Sequence, residues 1–121
     1  MQYQSSVEIR SATVPGVVFR VRKMSFSHRL NLMKDVRDLA SRHEFLKAGP
    51  DPLDQLEAQR IEQEIALVYL NWGLVSVDGL EIDGEAATAA RLIELGPEDL
   101  VREALSAVIN QLGLSEEERK N

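Results

Sequence analysis

At 121 residues with 44% apolar content, the chain fits a single domain able to bury a real core, and wholesale disorder is not expected. It has no Cys, which removes disulfides, Cys-ligated zinc and thiol catalysis, and no run of the roughly 18–20 apolar residues that a membrane helix needs. The charge is uneven: residues 1–50 hold nine Lys/Arg and four Asp/Glu, net +5, whereas residues 51–121 hold five and sixteen, net −11.

The opening MQYQSSVEIR has no charged region leading into an apolar one, so a cytosolic protein is the default expectation. Residues 7–13 alternate through Val7 and Ile9, and residues 17–23 alternate more cleanly, with Phe19 and Val21 opposite Arg20 and Arg22. Val14-Pro15-Gly16 supplies the turn between them, so the first 24 residues read as an antiparallel β-hairpin. A lone hairpin is marginal in water and must pack on something.

A helical hairpin follows over 25–71. Ser25 or Ser27 can cap its first helix, which runs to Lys47. Its apolar residues Leu30, Met33, Val36, Leu39, Ala40 and Leu46 recur at helical spacing and read as the inward stripe. Arg29, Lys34, Arg37, Asp38, Arg42 and Lys47 lie opposite. Gly49-Pro50 stops this helix, and Asp51-Pro52 starts the next, a capping Asp before a Pro whose missing N–H would be unpaired anyway. There Ile61, Ile65, Val68 and Trp72 form the stripe, and Leu53 and Leu56 are expected to extend it backwards.

Residues 72–87 hold two Asp-Gly pairs. Asp78-Gly79 suits a two-residue β-turn, so Leu74–Val77 and Leu80–Ile82 read as a small hairpin or pair of turns, with Leu80 and Ile82 pinned to the helices. From residue 88 the chain is helical again. Thr88 caps Ala89–Leu95, Gly96 closes it, and Pro97 opens a helix with Glu98 and Asp99 in its first turn and a broad apolar face through Leu112. Ser115-Glu116-Glu117-Glu118 resembles a capping box in the polar tail. The fold class expected is therefore α+β, mostly α, as one domain over 1–121.

Catalytic constellations are missing. Asp78, Glu81, Asp83 and Glu85 form the best cation candidate, but aligning Gly84 with the invariant glycine of an EF-hand puts Gly79 first and Ala90 last, so the ligands fail. His28 and His43 are too far apart for a helical zinc pair, and neither has a carboxylate at catalytic spacing. The serines sit in caps and turns, and no glycine motif cradles phosphate. No enzyme, cofactor or metal is expected. The basic residues of the first half are scattered and aromatics are few, so nucleic-acid binding is not expected either. Those residues either neutralise the acidic half or face a protein partner. The binding candidates are Trp72, Leu80 and Ile82, with Arg20, Arg22, Arg29 and Arg37; for Trp72 a core role is the stronger reading.

One pattern covers most of the chain from Phe19. It comprises FRVRKMSFSHRLNLM, then Trp-Gly-Leu leading to Val-Asp-Gly-Leu-Glu-Ile-Asp-Gly-Glu, then Leu-Gly-Pro-Glu-Asp-Leu, and the ending Leu-Ser-Glu-Glu-Glu-Arg-Lys-Asn. It resembles the tail assembly chaperones of tailed bacteriophages and prophages. The resemblance implies a small, largely helical, non-enzymatic protein of the host cytoplasm. Such proteins bind the long helical tape-measure protein, keep it soluble and recruit tail-tube subunits, and are absent from the mature particle. Two other readings remain: a head–tail connector or neck protein, which predicts ring-shaped homo-oligomers, and a small host adaptor or regulator, for which salt-dependent nucleic-acid binding would count.

Overall fold

Cap and turn chemistry sets the element boundaries. The computed structural model describes residues 1–113; the capping-box pattern at Ser115 and the polar tail lie outside the described residues. The order is β1 (Ser6–Arg10), β2 (Val18–Arg22), α1 (Phe26–Lys47), α2 (Pro52–Gly73), β3 (Leu74–Asp78), β4 (Glu81–Ile82), β5 (Glu85–Ala86), α3 (Ala89–Leu95) and α4 (Glu98–Asn110). With 57% helix and 17% strand the protein is α+β and mostly helical. It divides into two compact units. Residues 25–69 form a helical hairpin unit; residues 1–24 with 70–113 form a sheet unit.

In the sheet unit, β1 and β2 pair antiparallel with Val7 opposite Val21 and Ile9 opposite Phe19. Strand β3 then pairs with β2, placing Phe19 opposite Val77, with an irregularity between Arg20 and Val21. The sheet order is β1-β2-β3. This corrects the expected partner of Leu74–Val77. Those residues do not fold back on Leu80–Ile82; the β-branched strand joins the N-terminal hairpin, where the buried Phe19 and Val21 offer it apolar neighbours. The small hairpin sits one step later, β4 with β5, around the second Asp-Gly pair. There Asp83 (φ 53°) and Gly84 (φ 81°) both take positive φ, as a tight two-residue turn demands. At the first pair only Gly79 does, at 80°.

Helix α4 packs on β2 and β3, and α3 on β3 and β4. Val17, Phe19, Val21, Leu74 and Val77 are buried from the sheet side; Leu92, Leu100, Ala104, Ala107, Val108 and Leu112 are buried from the helices. Thr88 caps α3 by accepting the Arg91 N–H, and α4 keeps Glu98 and Asp99 at its N-terminus. Two close approaches fix the packing. A Cβ on Gly73 would lie 2.5 Å from Val108 Cγ1, and one on Gly79 would lie 2.1 Å from the Gly16 carbonyl oxygen.

In the hairpin unit, Ser25 caps α1 by accepting the His28 N–H. Asp51 Oδ1 accepts the Leu53 N–H at 2.9 Å and starts α2. The connection is closed by Gln55, whose Nε2 donates to the carbonyls of Lys47 (3.0 Å) and Gly49 (2.7 Å). The Lys47 carbonyl is one that the C-terminal end of α1 leaves without a helical partner, and the Gly49 carbonyl belongs to the connecting turn.

Candidate functional site

The hairpin unit turns inward only part of the α1 stripe its sequence suggests, and Ala40 is half-buried within that part. Leu32 is the one buried residue of α1, and Val36, Leu39, His43 and Leu46 follow at i+4, i+7, i+11 and i+14, half-buried. Leu30 and Met33, expected inside, are exposed together with Phe26, and the three share a stripe at i, i+4 and i+7. On α2, Ile61 and Ala58 are buried and Ile65 and Val68 half-buried, as the stripe through Ile61 requires. Leu53 and Leu56 do not extend it. They are 71% and 62% exposed, and Leu67 and, on α1, Phe45 are exposed too. α1 carries more apolar residues than one face can hold, and the surplus stands in water. The signal was present as two overlapping i, i+3/i+4 series in α1.

Ion pairs tie the two helices together. Arg42 lies 3.5 Å from Glu57, and His43 Nε2 lies 2.9 Å from Glu62. Glu57 also pairs with Arg60, which reaches Glu64. The hydrogen bond donated by Arg60 lowers the Glu57 pKa, and donating to the Glu57 and Glu64 carboxylates raises that of Arg60. Apart from the half-buried His43, these groups are open to solvent, so the pairs orient side chains more than they stabilise the unit.

The residues singled out from sequence separate into two groups. In the sheet unit, Arg20 is committed to a cross-strand pair with Glu8 and a hydrogen bond to Ser6. Arg22 Nε donates to the Trp72 carbonyl at 3.0 Å, capping the end of α2. Both arginines therefore have structural partners. Trp72 is half-buried, short of the fully buried plug expected. Leu80 and Ile82 are half-buried, the Leu80 carbonyl accepts the Ala87 N–H, and β4 lies against α3. In the hairpin unit, Arg29 and Arg37 are exposed on α1, and Arg37 lies 3.5 Å from Asp38.

The acidic turn region has its own partner. Asp83 and Glu85 each lie 4.0 Å from the Arg91 guanidinium. Among the described residues no group of three or more His, Asp or Glu is placed to hold a metal ion, and no helix is long and apolar enough to cross a membrane.

A feature invisible in the sequence joins the β1–β2 loop to α4. Glu103 accepts from the Ser11 hydroxyl and from the backbone N–H groups of Ala12 (2.7 Å) and Thr13 (3.3 Å). Burial pushes its carboxyl up, but these hydrogen bonds outweigh it and hold the pKa below its ordinary value.

The exposed apolar stripes of the hairpin, bordered by charge, are thus the surface with chemistry left over. No family model, curated protein or solved structure matches the chain.

Proposed function

We propose that this chain is a non-enzymatic assembly factor of the tail assembly chaperone kind, acting in the host cytoplasm by binding an amphipathic helical client. The observation that carries the reading is the helical hairpin with Phe26, Leu30 and Met33 exposed on α1, beside Arg29, Lys34 and Arg37. A monomeric protein seldom leaves such stripes in water without a use. A long helical protein such as a tape-measure protein exposes apolar stripes of its own before assembly, and a basic-bordered stripe favours a client helix with acidic flanks. Recruitment of tail-tube subunits would then be the task of surfaces outside this stripe.

Co-expression with the long helical protein encoded beside this chain tests the reading. A soluble complex is expected, and Leu30→Glu should weaken it at least tenfold while the variant keeps its helix content. A client equally soluble and equally unbound with or without this chain would sink the reading. A second reading, a head–tail connector or neck component, draws support from apolar residues exposed on both helices of the hairpin, as subunits of a ring need two contact surfaces. It predicts this chain in purified particles, where a chaperone is absent.

A further inference from the structure

The two exposed stripes of the hairpin point to opposite sides. Phe26 and Met33 stand in heptad register with Lys47, and Lys47 lines a groove with His43, Gln55 and Glu62. Leu56 stands i+4 before Arg60 and i+11 before Leu67, and Arg60 joins the Glu57 that meets Arg42. His43 lies in the inward seam; Arg42 stands about 100° to one side of it and Lys47 about 40° to the other, and Arg42 meets α2 at Glu57 while His43 meets it at Glu62. The α1 stripe therefore belongs to the Lys47 side and the α2 stripe to the Arg42 side.

The two sides also differ in charge. Around the α1 stripe stand the cations Arg29, Lys34 and Arg37, each three or four residues from a stripe member, with Lys47, against the acids Glu44 and Glu62. The Arg42 side carries Asp38 and Asp35 one and two turns before Arg42, together with Glu57 and Glu64, against the cations Arg42 and Arg60.

We infer that the α1 stripe of one copy seats on the α2 stripe of a second copy. The contact is head-to-tail, basic border on acidic border, and each copy keeps one face free for the next. Each stripe leaves three large apolar side chains 42–84% exposed, on the order of 100 Å² apiece. With the polar surround that interfaces carry, a contact built on them covers roughly 1,000–1,400 Å² in total, enough for a specific, dissociable association. A contact of unlike faces grows into a ring or an open helical array and does not stop at two. The inference rests on reading these stripes as binding faces. It adds that, without a client, the faces cover one another, so client binding and self-association compete.

Light scattering coupled to size exclusion, on the full chain across a concentration series, tests this. The expected result is a mass that rises with concentration from 13.6 kDa to beyond twice that value. Leu30→Glu and Leu56→Glu should each return the chain to a monomer. Mixed in equal amounts, the two variants should form a dimer that grows no further, because one supplies an intact α2 stripe and the other an intact α1 stripe. Leu30→Gln and Leu56→Gln provide the same test should a glutamate variant lose helical circular dichroism. A wild-type chain that stays monomeric up to about 1 mM overturns the inference. So does a single variant that still associates like the wild type, since that marks pairing between like faces. A monomeric chain that binds the client sinks only this inference; an associating chain that ignores it sinks only the chaperone reading.

Discussion

The sheet unit and the hairpin unit use their apolar residues in opposite ways. In the sheet unit Phe19, Val21, Leu92, Leu100 and Val108 are wholly or almost wholly buried, and a helix closes over the strands. The hairpin unit buries only Leu32, Ala58 and Ile61, and leaves seven large apolar side chains exposed, from Phe26 to Leu67. Two helices share a single seam, and a seam accommodates only about two residues in seven. A sheet covered by helices encloses its apolar side chains from two layers. The first unit is thus a self-sufficient core, and the second a pair of helices with surface to offer.

Substitutions can break this contrast. Phe19→Ala should cost about 3–5 kcal/mol of unfolding free energy in urea, because its ring is fully buried beneath the α4 layer. A loss below about 1 kcal/mol would mean that the sheet unit is no better closed than the hairpin. Gly79→Val follows at about 3 kcal/mol. It must hold φ near 80° and would drive a Cβ into the Gly16 carbonyl. An unchanged melting temperature would refute that approach.

Glu103→Gln should cost about 1–2 kcal/mol at neutral pH by weakening the charge-assisted bonds that hold Ser11, Ala12 and Thr13. The folded pKa of Glu103 lies below its ordinary 4.5, so its contribution is complete above that value and is lost as pH falls through the folded one. Stability curves of wild type and variant should therefore converge in acid; a gap independent of pH would point to packing instead. The smallest effect belongs to the hairpin surface. Leu53→Gln and Leu56→Glu should move stability by less than about 0.5 kcal/mol in a dilute monomer, since both side chains are already in water. A loss of 2 kcal/mol or more would show that these leucines are covered within the chain.

Much of the local structure was legible in the residues themselves. Ser25, Asp51 and Thr88 start helices where cap chemistry places them, and Gly113 takes a positive φ just past α4. The alternation through Phe19 and Val21 picked out the buried face of β2. These features depend on groups within about four residues of one another, so the sequence determines them alone. The pairing of β3 with β2, the capture of the β1–β2 loop by Glu103 and the commitment of Arg22 to the Trp72 carbonyl each join residues more than 45 positions apart. No local pattern encodes such partners. The same limit applies to α1. Its sequence offers two apolar stripes of similar quality, and only the neighbouring α2 decides that Leu32 turns inward while Leu30 and Met33 face solvent. A helix has an inside only when something packs against it.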